Sequence, residues 1–373
     1  MIIGYDAKRL FHNYTGLGYY SRTLVQSLQE SDPDFKAILF DPHPEENILT
    51  KPFFESSSFQ PVQLKSPAFY NRSVNINGCL LPHKIDVFHG LSNELPIVKL
   101  AHQIPTVVTI HDILYKSFHE DFPWLDRQVY QLKTKNALEK ASTIVAISEA
   151  TKSEIIKYFP FATNKIKVVY QSYDPIFDQA VSSEMLQSEL SKRSLPSEYL
   201  LYVGSITQRK NLGIIIEALK LIPEEKRLPL FVAGKGNKYE KKIKELIRDH
   251  QLTKWIYFFP DLLRTTLRLF YSGAQSIIYP SLGEGFGLPV LEAIASNVPV
   301  ITSNISSMPE AGGNLALYFD PTNAEQLAHC IQSIHTSDLL RSNEALRQTH
   351  LAKFSRKVIS NQYLKEIYQP LLQ

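Results

Sequence analysis

The 373-residue chain has only two cysteines, Cys79 and Cys330. So distant a pair has no metal-ligand spacing and cannot form the disulfide framework of a small secreted domain, and a reducing cytoplasm suits it. Long apolar runs are lacking too. No stretch reaches the roughly 20 residues of a membrane-spanning helix, and the opening Met1-Ile-Ile-Gly-Tyr-Asp6 is too short an apolar run for a signal peptide. Nor does charge of one sign dominate. The formal balance is +3, made of −1 up to Asp178 and +4 beyond it, so neither half is basic enough to argue for nucleic acid. What is present, 44% hydrophobic and 21% charged residues, describes a soluble globular protein long enough for two domains with separate cores.

Short apolar runs alternate with longer amphipathic stretches, the rhythm of parallel sheets covered by helices. Strands are predicted at Ile2–Tyr5, Lys36–Phe40, Val87–His89, Thr106–Ile110, Thr143–Ile147 and Lys167–Tyr170. The pattern restarts at Tyr199–Val203, Pro229–Ala233, Ile256–Phe259, Ser276–Tyr279, Val300–Ser303 and Ala316–Phe319. Between these sets, Asp174 to Ser197 is polar and without apolar periodicity, which places a boundary there and predicts domains 1–178 and 179–353.

The stretch from Ser281 to Ala295 joins a glycine-rich loop to a helix start, with a carboxylate on either side. Gly285 and Gly287 let the backbone turn tightly, Phe286 and Leu288 stand between and after them, and Pro289 suits a first helical turn. Such a helix start attracts phosphate. Two acids beside a phosphate would repel it unless they accept hydrogen bonds from hydroxyls, so Glu284 and Glu292 point to a ligand carrying both groups, such as a nucleotide sugar.

Other strand ends add candidates. Arg209 and Lys210 follow a strand that ends at Gly204; a planar fork beside an ammonium suits a diphosphate, although a solvated loop often holds the same pair. Thr15-Gly-Leu-Gly-Tyr-Tyr-Ser21 precedes a helix predicted from about Tyr19, and Gly16 and Gly18 could admit a phosphate or sugar or simply form a flexible turn. A dinucleotide fingerprint fails there because Ser21 takes its third glycine position. His111 and Asp112 end the strand Thr106–Ile110; a histidine so placed is a catalyst or a hydrogen-bonded structural residue. Ser148 reads as a helix cap.

Taken together, Glu284 to Glu292 with its G-F-G and P-V-L-E-A, the H-D-x-x-Y phrase at His111, the opening D-A-x-x-L…T-G-x-G-x-Y and the Gly204…Arg209-Lys210 segment resemble the retaining glycosyltransferases of family 4. That resemblance covers nearly the whole chain, especially that of bacterial mannosyl- and rhamnosyltransferase-like chains of surface polysaccharide synthesis. It implies an α/β fold of the GT-B type, two Rossmann-like domains facing across a cleft, with a final helix from about 354 to 373 crossing back to the first domain. It also implies roles: Glu284 on the transferred sugar, Glu292 on the ribose, Arg209 and Lys210 on the diphosphate, His111 beside the reacting sugar, and Gly16, Gly18, Gly204, Gly285, Phe286, Gly287 and Leu288 around the donor. Ser205 stands where some members carry another arginine, which leaves Arg209 and Lys210 alone on the leaving group.

The implied partners are a nucleotide sugar, GDP-mannose first, and a glycan or polyprenyl-linked oligosaccharide acceptor, with a cytoplasmic location that could include the inner membrane face. No cofactor or metal is expected, because Asp32-Pro-Asp34 reads as turn chemistry. Aromatics interleaved with cations from Lys51 to Arg72, including Phe53, Phe54, Phe59 and Phe69, either rest on lipid headgroups or fill the first core. Two other classes stay open: a nucleotide-sugar epimerase, and a nicotinamide oxidoreductase, which would need the intact fingerprint.

Overall fold

The computed structural model describes residues 1–65, 68–236, 238–334 and 344–373. The chain forms two compact units, Met1–Ser172 with Lys353–Gln373, and Tyr173–Ala352.

The first unit is built on seven parallel strands: β1 (Ile2–Asp6), β2 (Lys36–Asp41), β3 (Phe59–Gln63), β4 (Val87–Gly90), β5 (Thr106–Ile110), β6 (Thr143–Ala146) and β7 (Ile166–Val168). Their order is β3-β2-β1-β4-β5-β6-β7. Most are apolar on both faces, as expected of strands covered by helices on each side. The exception, β3, is missing from the predicted strands because Gln60, Pro61 and Gln63 break its apolar run. Proline is tolerated there because β3 is an edge strand.

One face of this sheet packs on the helix Gly16–Ser31 and on the segment Arg356–Tyr368, whose Ile359, Tyr363, Ile367 and Tyr368 are buried with Tyr5, Tyr20, Leu24 and Leu28. Tyr363–Tyr368 is a π-helical turn. The other face buries Phe40, Phe88, Ile110, Leu138 and Ile144.

The second unit has six parallel strands: β8 (Leu200–Val203), β9 (Leu230–Ala233), β10 (Ile256–Phe259), β11 (Ser276–Tyr279), β12 (Val300–Ser303) and β13 (Ala316–Phe319), in the order β10-β9-β8-β11-β12-β13. It also holds a helix, Ser183–Lys192, inside the stretch expected to lack one. Ser182 Oγ caps it by accepting from Met185 N at 3.2 Å, and Leu190 is its buried anchor.

Strand order reverses between β1 and β4 in the first unit and between β8 and β11 in the second. Open α/β sheets bind ligands outside the carboxyl ends of the strands at such switch points.

Candidate active site

In the second unit, the loops leaving β8 and β11 meet at the switch point. Leu282 N donates to Arg209 O at 2.8 Å, and Arg209 Nη1 donates to Gly283 O at 2.6 Å. Gly204 must be glycine for its φ of 147°, and Gly234 because a Cβ there would stand 1.9 Å from Gly204 O. The loop after β12 joins from the other side, where Ser306 and Ser307 hydroxyls donate to Glu284 O. Hydrogen bonds to backbone carbonyls, from one amide and three side chains, thus fix three loops before any ligand arrives.

Glu284 sits at their centre with 11% of its side chain exposed. Arg209 Nη1 and Lys210 Nζ each lie 2.7 Å from Glu284 Oε1, and Ser281 Oγ donates to the same oxygen at 2.6 Å. Burial alone would raise the Glu284 pKa, but Lys210, Arg209 and the hydrogen bonds from Lys210 and Ser281 outweigh it and hold it below the ordinary value. Lys210 is further steered by Tyr279, donating to its hydroxyl and lying 4.8 Å from its ring centroid. One carboxylate therefore aligns both cations.

Glu292 lies on the following helix, Leu288–Ala295, whose start is set by Gly287 at φ 121° and Pro289. It is buried, accepting from Tyr271 Oη at 3.0 Å and Arg264 Nη2 at 3.4 Å, while Arg264 also pairs with Asp174. Burial raises its pKa against the pull of Arg264 and Tyr271. The Phe286 side chain is 3% exposed and belongs to packing, and Leu288 is half-buried.

In the first unit, Gly16 and Gly18 are not in a loop. The helix begins at Gly16, three residues before the expected start, because Asn13 Oδ1 accepts from Thr15 N at 2.9 Å and Gly18 N at 3.0 Å. Gly18 is required by packing, since a Cβ would stand 1.7 Å from Asn13 O, whereas Gly16 faces open space.

His111 leaves β5 and is 5% exposed. Its Nε2 lies 2.9 Å from Leu91 O, so that nitrogen carries the hydrogen, and Nδ1 accepts from the Gln171 amide at 2.8 Å. Burial pushes its pKa down to about 4, with Arg9 adding to the fall and the Leu91 bond opposing it. The ring is therefore neutral near pH 7, and both its nitrogens are committed to protein partners. It borders a cavity of about 180 Å³ lined also by Arg9, Glu94, Asp112, Tyr115, Tyr130 and Lys133. Beside that cavity, Arg72 bridges Asp6 and Glu94, with Nη2 2.6 Å from Asp6 Oδ2 and 3.0 Å from Glu94 Oε2. Ser148 caps its helix, accepting from Thr151 N at 2.9 Å.

Comparison with known proteins follows the same division. Residues 14–176 match the family model described as Glycosyltransferase Family 4, and residues 187–350 match Glycosyl transferases group 1. The chain is 31% identical over 261 residues to O-antigen chain mannosyltransferase B of Escherichia coli, covering 68% of this chain and 67% of that one. The chain belongs to the family 4 glycosyltransferases. This glycosyltransferase is also 24% identical over 339 residues to the O-antigen chain mannosyltransferase RfbU of Salmonella typhimurium, covering 88% and 90% of the two chains. It is 30% identical to the serotype-specific mannosyltransferase WbdA of Escherichia coli, of whose length it spans 34%. Among solved structures, a glycosyltransferase from Rickettsia africae aligns over 100% of this chain and 98% of its own, with a TM-score of 0.75 at 19% identity. WaaG, a glycosyltransferase involved in lipopolysaccharide biosynthesis, aligns with a TM-score of 0.70 over 99% and 100% at 18% identity. The fold of the glycosyltransferase is thus GT-B.

The aromatic and basic stretch from Lys51 to Arg72 serves the first core in part: Phe53 and Phe59 are buried, and Arg72 turns inward to Asp6. The Phe69 side chain and Asn237 lie outside the described residues. Asp32 Oδ1 accepts from Asp34 N at 3.1 Å, an ordinary Asx turn. No helix among the described residues is long and apolar enough to cross a membrane. Sequence reading missed Gln171 and Tyr20, which hold the His111 ring in place.

Proposed function

We propose that this glycosyltransferase moves a mannosyl residue from a nucleoside diphosphate donor, GDP-mannose first, to a glycan or polyprenyl-linked oligosaccharide acceptor in surface polysaccharide synthesis, with retention at the anomeric carbon. The carrying observation is the convergence of Arg209 and Lys210 on Glu284 beside the start of the Leu288–Ala295 helix. The mannosyltransferase names of its relatives support the sugar and pathway.

Breaking the donor bond leaves negative charge on the diphosphate, and a preorganised positive site stabilises that charge without reorganising at the moment of reaction. Arg209 and Lys210 supply it, and the amides after Gly285 add to it. Glu284 accepts from hydroxyls of the transferred sugar, and Glu292 from the ribose. In the first unit, the carboxylates and tyrosines around His111 suit the hydroxyls and apolar faces of an acceptor sugar. Because its nitrogens are occupied, His111 acts as a fixed neutral wall.

A lipid-linked acceptor would bring the enzyme to the cytoplasmic face of a membrane. The helix Trp124–Lys140 supports such contact: Tyr130, Lys133 and Thr134 line the His111 cavity, while Trp124, Leu125, Val129 and Leu132 are exposed. A thermal-shift screen with GDP-, UDP- and dTDP-sugars identifies the donor, since ligand at 100 times its Kd adds about 2.7 kcal/mol. Nucleotide release on adding acceptor then tests transfer. Stabilisation by none of these sugars, or no acceptor-dependent release, would remove the proposal.

A further inference from the structure

Next to His111 lies a buried polar cluster that the proposed chemistry does not use. Thr109 lies on β5, whose last residue is Ile110, and His111 follows directly after that strand. Thr109 Oγ1 lies 2.9 Å from Tyr20 Oη, 3.3 Å from Tyr363 Oη and 2.9 Å from His89 Nε2. Tyr20 and Tyr363 hydroxyls are 2.6 Å apart. The chain continues from His89 Nδ1 to Tyr368 Oη at 2.7 Å, and from there to Tyr5 Oη at 3.0 Å.

These six contacts have six hydrogens to fill them, five on hydroxyls and one on neutral His89. The count fixes their direction. Tyr5 has one partner in the cluster and so donates to Tyr368; Tyr368 must then donate to His89 Nδ1. His89 therefore carries its hydrogen on Nε2 and donates to Thr109, and the Thr109 hydrogen circulates in the triangle with Tyr20 and Tyr363. An extra proton on His89 would face the Tyr368 hydrogen, in keeping with the burial that drives its pKa down to about 3. Such a closed network permits one side-chain arrangement.

The triangle reaches His111 through Tyr20, whose ring meets the imidazole edge-on, with centroids 4.6 Å apart and an interplanar angle of 87°. We infer that Tyr20, locked by Thr109 and by Tyr363 of the C-terminal segment, is a positioning residue that sets the His111 ring against the acceptor cavity. This rests on the proposed place of His111 beside the reacting sugar.

The test compares three tyrosine-to-phenylalanine variants, each losing one buried hydroxyl. Tyr20→Phe and Tyr363→Phe open the triangle; Tyr5→Phe removes only the far end of the chain. Two quantities are read in the full-length protein: the imidazole nitrogen NMR signals of His111, and kcat and KM with the nucleotide sugar identified by the screen above. Tyr20→Phe and Tyr363→Phe should each move the His111 signals and lower kcat about tenfold, with donor KM unchanged. Their double variant should be no worse than either alone, because both break the same unit. Tyr5→Phe should leave the signals and kcat as in the wild type. Equal losses in all three variants would show a general stability effect and overturn the inference. So would unmoved His111 signals in Tyr20→Phe, or moved signals with full kcat. Normal turnover in His111→Ala would instead remove the reading on which the inference rests, while the signals still report whether Tyr20 sets the ring.

Discussion

Arg209 Nη1 stands 2.7 Å from Glu284 Oε1, and that contact joins the loop that would hold phosphate to the loop that would hold sugar. Glu284 removes part of the positive charge it aligns. Glu284→Ala should therefore lower kcat about a hundredfold, as loss of a preorganised site does, while affinity for the bare nucleoside diphosphate stays level or rises. Calorimetry with the diphosphate, beside turnover at saturating donor, checks both. Lost nucleotide affinity with near-normal turnover would refute this division of labour.

Glu292→Ala should behave differently. Nucleoside diphosphate and donor should both bind more weakly by about 1–3 kcal/mol. Stability should suffer too, because Tyr271 would keep a buried hydroxyl without its acceptor and Arg264 would lose the Glu292 carboxylate while keeping Asp174. Urea midpoints should fall as well.

Acid should destabilise the first unit through His89 and His111. Their folded pKa values are depressed to about 3 and about 4 from 6.5, so the folded state favours the neutral rings. The unfolded chain takes up protons first as pH drops below 6.5, and stability present above that point is lost down through the folded values. The slope should approach about 1.4 kcal/mol per pH unit for each histidine. Denaturant titrations across this window should show it, and His89→Gln should remove one share.

Arg72→Ala should cost about 3 kcal/mol, because it strands the largely buried Asp6 without its cation, while Glu94 keeps Lys133 at 3.0 Å. Chemical denaturation measures the loss. The two glycines of the first helix offer a companion test: Gly18→Ala should destabilise strongly, and Gly16→Ala should be tolerated. A raised donor KM in a fully stable Gly16→Ala protein would assign Gly16 to the ligand.

Turnover should persist in excess EDTA, because the basic pair is positioned to neutralise a diphosphate. Activity lost to the chelator and restored by Mg²⁺ or Mn²⁺ would contradict this.

The switch-point loops were legible because glycines, prolines and charges at strand ends leave local marks. Gly204 to Lys210 and Gly283 to Glu292 could each be singled out as candidate segments from a few neighbouring residues. Strands buried on both faces were legible for the same reason, whereas β3 was hidden by Pro61 and its glutamines. The helix at Ser183–Lys192 left only Ser182 as a cap signal and Leu186 and Leu190 four apart. Least visible were the partners that fix His111. Tyr20 and Tyr363 are separated by 343 positions, and no local pattern shows that their hydroxyls meet. The Asn13 cap that turned a supposed loop into a helix start is likewise a matter of side-chain geometry.

The return of Lys353–Gln373 to the first unit makes Tyr173–Ala352 an insertion within it. During synthesis the ribosome completes the inserted unit before Tyr363 and Tyr368 have been made. The first unit must then wait with His89, Thr109 and Tyr20 lacking their last hydroxyl partners, although its strands emerged earliest. The order of emergence and the order of completion are therefore reversed: the unit translated first is the last to close.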